Sequence, residues 1–441
     1  MSAEPDVVNL LSSLIRYDTQ NFGGGRSRGE TPCAEFIAGL LRDAGYEPQL
    51  WHRPDSPDRA NVVLRLPGRD SELEGLVVQG HLDVVPVEAD EWSVDPFGGV
   101  VRDGYVYGRG AADMKDMCSS MLATLLQWAR EDAGPRRDLV FAFVADEEDA
   151  GQWGAEWLVA EHPELFAGCA AAVGEDGGVC TPMRAADGSI VRLYPISCAE
   201  RGTMHVRLTA RGASGHASRP SGDDAVRRLL DALHRLTHHD WPLRLSDVVA
   251  AQLVALADPL GYEVDLDDEA SIAALVDALG EDAGPLRFTT RVSSTPTMLS
   301  AGSKVNVVPG VATAEVDVRC PPGAVDETDA MLAELIGDKV EWEYSSRQDP
   351  VSSPVGGPWY DALCAAVRAA DPEGVPFPNC MGGGTDAKAF AKLGMATYGF
   401  TPLGPDPDGR RFAGVHGVDE RVPLESLRWG QRVLRDFLER V

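Results

Sequence analysis

Apolar residues in this chain gather into short runs, too brief for a buried helix and too continuous for a half-exposed strand. Three of the runs end in side chains able to bind a cation or move a proton. Leu76-Val77-Val78 is followed by His81 and Asp83, Leu139 to Val144 by Asp146-Glu147-Glu148-Asp149, and Ala170 to Val173 by Glu175-Asp176. Such runs read as strands covered on both faces, the habit of a parallel sheet packed between helices. Between the first two, Met117, Met121, Leu122, Leu125 and Trp128 recur at helical spacing, which predicts a helix within Met114 to Arg130. In an open parallel sheet the loops beyond the carboxyl ends of the strands line the ligand crevice, so these imidazole and carboxylate groups stand where a site is expected.

Elsewhere the pattern predicts a first helix starting near Pro5, a second from Thr31-Pro32 to Gly45, strands at Pro48 to His52 and Ala60 to Leu66, and a hairpin turning at Asp103-Gly104. After Glu200 the texture changes. Gly202 to Ala210 alternates like a half-exposed strand, Asp224 to His238 looks helical, and strands return at Arg291 to Leu299, Lys304 to Pro309 and Thr313 to Arg319. This reads as an inserted α+β lid, bounded near Glu200 and by Pro321-Pro322-Gly323. The expected organisation is therefore a catalytic domain in two segments, 1–199 and 321–441, around a lid of 200–320; the stretch Asp240 to Pro285 carries no readable pattern. In the second segment a strand at Val340 to Tyr344, a helix at Pro358 to Ala370, a strand at Thr397 to Phe400 and a terminal helix after Pro423 are predicted. The fold class is α/β, a mixed and mostly parallel sheet flanked by helices.

Composition narrows the partners. With 441 residues the chain exceeds the size at which one core keeps growing. Sixty-nine acidic against 40 basic residues, a formal charge of -29, argue against nucleic acid and anionic lipid. Eight cysteines without a CxxC pair suit reduced thiols. Neither an export signal nor an apolar run long enough for a bilayer is visible, so a soluble cytoplasmic protein is expected.

His81, Asp113, Glu147, Glu148, Glu175 and His416 together offer two imidazoles and four carboxylates, a mixed nitrogen and oxygen set that suits zinc or a similar divalent ion. There are too many carboxylates for one closed structural site. Two ions sharing a bridging carboxylate, about 3.5 to 4 Å apart, would activate a water and polarise a carbonyl, the chemistry of hydrolysis. Asp83 is expected to hydrogen-bond the ring nitrogen of His81 that faces away from metal. Gly382 to Asp386 lacks the Lys-Ser/Thr ending of a phosphate loop, so Gly383, Gly384 and Thr385 read as a lining against which substrate approaches closely. Ser214 misses the spacing of a serine-hydrolase elbow.

GHLDVVP, GRGAADMK, ADEE, GHASRP, KVNVVPG, GGTDAK and HGVDER occur in this order across the chain. Together they resemble the co-catalytic zinc hydrolases that include aminoacylase, acetylornithine deacetylase, succinyl-diaminopimelate desuccinylase and glutamate carboxypeptidase. The resemblance implies a zinc-exopeptidase-like fold and two Zn2+ ions per subunit, with Co2+ or Mn2+ as substitutes. It implies one ion on His81, Asp113 and Glu175, the other on Asp113, Glu148 and His416, and Glu147 as general base. Asp176 also fits the position given to Glu175, and Glu175 is preferred. His216 would reach a partner's site across a homodimer formed through the lid, and Asn306 and Arg319 would hold a substrate carboxylate. The expected activity is hydrolysis of an amide bond in a small peptide or N-acyl amino acid, of dipeptidase, carboxypeptidase or aminoacylase type. Set against it are an amidohydrolase of a non-peptide C–N bond and a non-catalytic binding protein on the same scaffold.

Overall fold

The three apolar runs become neighbouring strands, Leu139–Val144, Gly75–His81 and Cys169–Gly174, hydrogen-bonded in parallel in the middle of a ten-stranded sheet. The computed structural model describes residues 6–219, 222–280, 284–406 and 414–441. Pro5, at the predicted start of the first helix, and Pro220 of GHASRP lie outside them. Leu76, Val77, Val78 and every residue of Leu139–Val144 are completely buried, which is why the runs are continuous. Successive residues nevertheless serve different cores. Leu76, Val78, Phe141 and Phe143 meet the helices Val7–Ile15, Thr31–Asp43, Lys115–Glu131 and Leu424–Arg440. Val77, Val140, Ala142 and Val144 meet Ala155–Glu161 and Ala387–Ala391 on the other face. The register pairs His81 with Val144 and Val78 with Val173, so all three strands end at one edge of the sheet.

From edge to edge the order is Gln49–His52, Ala60–Leu66, Leu139–Val144, Gly75–His81, Cys169–Gly174, Ala396–Gly399, Ile190–Glu200 and Val351–Ser352. Thr181–Arg184 and Val375–Met381 also pair with Ile190–Glu200. Val375–Met381 contains Pro376 and Pro378, and it tolerates them because it pairs with one neighbour only. Among the described residues no helix is long and apolar enough to cross a membrane.

A four-stranded antiparallel sheet, in the order Ser293–Ala301, Val311–Cys320, Gly202–Arg211 and Val340–Gln348, carries a core of its own under the helices Ala225–Thr237 and Val325–Ile336. The lid boundaries predicted at 200–320 need correcting on two counts. Val340–Gln348 pairs with Gly202–Arg211, so the lid continues past the Pro-Pro-Gly turn. The stretch Asp240 to Pro285 holds the helices Asp247–Leu260 and Glu269–Leu279, whose Val248, Leu253, Leu256, Ile272 and Leu275 belong to the core of the large sheet. Of Lys304 to Pro309 only Val307–Val308 is strand, paired with Gly215–His216.

Candidate metal centre and active site

At the shared edge of the three central strands, two sets of ligand-type atoms converge. In each set, His81, Asp113 and Glu175 or Asp113, Glu148 and His416, the atoms lie within 4.8 Å of one another. Asp113 divides its oxygens between the sets. Oδ1 is 3.0 Å from His81 Nε2, and Oδ2 is 3.0 Å from His416 Nε2. Glu175 Oε2 stands 3.9 Å from His81 Nε2, and Glu148 Oε2 stands 3.4 Å from His416 Nε2.

The donor set fits a pair of divalent ions. Glu148 Oε1 and Glu175 Oε2 are shielded from solvent yet have no hydrogen-bond partner, a cost that a cation between the carboxylates would remove. Burial first, and then the charges of Glu147 and Asp113, hold Glu175 well above the usual carboxylate range. Burial with Asp386 and Glu148 does the same for Glu147. His416, hydrogen-bonded to Asp113 and Glu148, is pushed up to about 10. Acids so crowded call for positive charge among them.

Backbone and side-chain hydrogen bonds hold this frame. His81 Nδ1 donates to the Asp83 carbonyl at 2.9 Å, which leaves Nε2 facing Asp113. Asp83 thus meets the ring nitrogen that faces away from Asp113 through its carbonyl; its carboxylate Oδ1 lies 3.5 Å from the ring and accepts, with Oδ2, the N–H groups of Glu147 at 3.1 Å and Glu148 at 3.2 Å. Asp146, at φ 68, shapes the turn that presents these two glutamates. Its carboxylate takes hydrogen bonds from Asn21, Arg59 and the Trp153 amide. Asp176 is engaged elsewhere, receiving the Ser197 hydroxyl, while Glu175 faces His81.

Glu420 went unremarked in the sequence although HGVDER contains it. Completely buried, it accepts from Arg109 Nη1 at 2.6 Å and from the amides of Gly110 (3.1 Å), Ala112 (2.7 Å) and Asp113 (3.2 Å). One carboxylate thereby ties the segment bearing His416 to the backbone of Asp113. The spacing of four residues after His416 was the available signal.

A cavity of about 450 Å³ opens over the ligand sets, with Glu147 in its wall, an apolar side of Val179, Met381, Leu403 and Val415, and Arg319 among its cations. Gly383 and Gly384 also line it; Thr385 does not, lying instead in a recess of about 180 Å³ beside it and binding Glu200 through its amide at 2.9 Å. Arg319 forks onto Asp317 and donates from Nη1 to Thr203 Oγ1 at 2.9 Å. Buried Lys388 reaches the same hydroxyl oxygen at 3.4 Å, a second cation that the GGTDAK stretch carried unremarked. A Cβ on Gly384 would lie 2.2 Å from Lys388 Nζ, so this position must be glycine for Lys388 to stand there. His216 and Asn306 are outside this cavity's walls. They sit on an exposed two-stranded ribbon made from separate parts of the chain, joined by the Ala217 amide donating to the Asn306 carbonyl at 3.1 Å.

A parallel-centred sheet with helices on both faces, a lid, and two ligand sets sharing one aspartate define a scaffold of the two-metal hydrolase class. Residues 77–440 match peptidase family M20/M25/M40, and the chain belongs to that family. It is 29% identical over 386 residues to human N-fatty-acyl-amino acid synthase/hydrolase PM20D1, covering 86% of this chain and 76% of that protein. To human aminoacylase-1 it is 27% identical over 375 residues, 83% of this chain and 80% of that one. Sso-CP2, an M20 family metallo-carboxypeptidase from Sulfolobus solfataricus, shares the fold with a TM-score of 0.73 at 16% identity over 98% of both chains.

Proposed function

We propose that this chain is a two-zinc hydrolase of the amide bond in an N-acyl amino acid or small peptide that carries a free carboxylate. The observation that carries the reading is Asp113, whose two oxygens serve the two ligand sets beneath a cavity walled by Glu147. Zinc ions there would polarise the scissile carbonyl and make water acidic enough to attack near neutral pH. Glu147 takes the proton of the attacking water and returns it to the leaving amine. Arg319 and Lys388, meeting at Thr203, bind the substrate carboxylate, and Val179, Met381 and Leu403 receive the acyl group or side chain. The matched N-acyl-amino acid hydrolase and aminoacylase support that substrate class.

In this reading the protein is a cytoplasmic homodimer joined through the lid, and His216 completes the partner's site by stabilising the oxyanion. Two features support it: His216 is exposed on a two-stranded ribbon outside its own cavity, and Ser293–Ala301 is an edge strand with Met298 and Leu299 exposed. Asn306, beside His216 at the start of the same ribbon, is then a contact to the partner's substrate.

The test is to strip the protein with a chelator, restore zinc, and assay N-acyl amino acids and dipeptides. Glu147→Gln should keep two metals per chain and lose about 10²- to 10⁴-fold in kcat. Full activity without metal, or in the variant, refutes the mechanism.

A further inference from the structure

The helix Asp247–Leu260 lies within the sequence of the lid, yet it packs into the core of the large sheet. On its buried face stands one amide side chain, Gln252, only 5% exposed among Val248, Val249, Leu253 and Leu256. An amide is costly there unless both ends are bonded. Both are. Nε2 donates to Asn379 Oδ1 at 2.8 Å, and Oε1 accepts from the Cys380 amide at 3.2 Å. The strand Val375–Met381 is irregular at this point: its register against Ile190–Glu200 shifts between Asn379 and Cys380. Gln252 thus takes up the Cys380 N–H just where the ladder breaks register.

The chain of bonds continues toward the metal centre. Asn379 Nδ2 donates to Ser197 Oγ at 2.9 Å and lies 3.5 Å from Asp176 Oδ2, and the Ser197 hydroxyl donates to that same Asp176 oxygen. Asp176 follows Glu175 directly and takes a left-handed conformation, φ 68, with its carbonyl accepting from the Thr401 amide at 3.3 Å. Its side chain and backbone are both clamped, so the direction in which the chain leaves Gly174 and presents Glu175 follows from this network. The other ligand set is held by different groups, since the amides of Glu147 and Glu148 are bound to Asp83 and the Asp113 amide to Glu420.

We infer that Gln252, and through it the inserted helix, is a positioning element for Glu175 that sets metal affinity at the His81, Asp113 and Glu175 site while leaving the Asp113, Glu148 and His416 site unchanged. The inference rests on the two-metal reading above. Outer groups that orient a ligand are worth about 10- to 100-fold in metal affinity, and that is the size of effect expected here.

The experiment titrates metal-stripped protein with Co2+ and Zn2+ against a chelating dye, resolving two dissociation constants, with near-ultraviolet circular dichroism of the stripped protein as a check on folding. In Gln252→Leu, which keeps the apolar volume and removes both amide bonds, one constant should weaken about 10- to 100-fold and the other by less than about twofold. Ser197→Ala cuts the same path without touching the helix and should reproduce the split even if Gln252→Leu does not fold. Glu175→Ala identifies the weakened site, because it should abolish the binding step that the other two variants weaken. Two unchanged constants, or two constants weakened alike, overturn the inference while the two-metal reading stands. A wild-type chain that binds fewer than two ions overturns that reading itself.

Discussion

Replacing Glu420 with Gln removes one charge and one acceptor from a pocket already short of acceptors, since Arg109 Nε is buried without a hydrogen-bond partner. The wild-type carboxylate faces a guanidinium and three backbone amides, every one a donor. The amide of Gln keeps one oxygen, enough for the Ala112 and Asp113 amides, and turns its NH2 toward the Gly110 amide and Arg109. Arg109 is 3% exposed, and without Glu420 its remaining partners among the described residues are the Pro86 carbonyl at 3.5 Å and the Trp92 ring, 5.4 Å to the centroid. Leaving one half of a buried ion pair uncompensated costs about 3 to 5 kcal/mol. With an m-value of roughly 3 kcal/mol/M, that lowers the urea midpoint of the large core by about 1 to 1.7 M. Tryptophan fluorescence follows that core through Trp128 and Trp359. The double variant Arg109→Met with Glu420→Gln removes the stranded charge and should recover more than half of the loss, because a buried pair replaced as a whole is often close to neutral. A loss below about 1 kcal/mol in the single variant, or a double variant as damaged as the sum of both, would refute the reasoning.

Three further outcomes are expected. A one-to-one mixture of inactive His216→Ala and Glu147→Gln protein should regain up to about a quarter of wild-type activity, since half of the random dimers carry one intact site; no recovery places His216 outside the partner's site. Lys388→Met should raise KM for a carboxylate-bearing substrate about 10- to 100-fold with kcat little changed, and should leave the matching carboxamide unaffected, as read from parallel kinetics. Asp371 accepts from Arg192 at 2.7 Å twice and from Tyr194 at 2.8 Å, and Arg192 holds its carboxyl below the usual range. A carboxyl lowered by folding stabilises fully above its unfolded value and loses that contribution as pH falls through the folded one. Asp371→Asn should therefore cost about 1 kcal/mol at pH 7, modest because Arg192 is a third exposed, and the gap to wild type should close below about pH 4. A deficit that does not change with pH contradicts this assignment.

How much of this could be read in advance depended on where each residue's constraint lies. His81, Glu148 and Glu175 follow strands buried on both faces, and such strands announce themselves as unbroken apolar runs. Asp113 and His416 do not. Asp113 precedes a helix rather than ending a strand, and His416 sits at φ 59 in a turn with no periodicity, so both were legible through the resemblance of their flanking residues alone. Val375–Met381 was hidden by prolines that an edge strand can hold, and Val340–Gln348 by its position after a turn that looked like a boundary. Sequence proximity points to Asp83 as the neighbour of the His81 ring but does not say whether its carbonyl or its carboxylate makes the bond; the structure shows the carbonyl.

The inserted helix was unreadable for a different reason. In DVVAAQLVALADPL the polar Gln252 is buried while the apolar Val254 is half exposed, the reverse of the arrangement from which a helix face is inferred. Local rules break where a position answers to something other than packing. Here Gln252 answers to the Cys380 amide and to Asn379, three hydrogen bonds from Asp176 and so beside the candidate ligand Glu175. A helix built only to cover the sheet would carry leucine at that position. The inverted pair is therefore the sequence trace of the link between the insert and the metal centre, and exchanging it, with Leu at 252 and a polar residue at 254, should improve the helix pattern while weakening metal binding at one site.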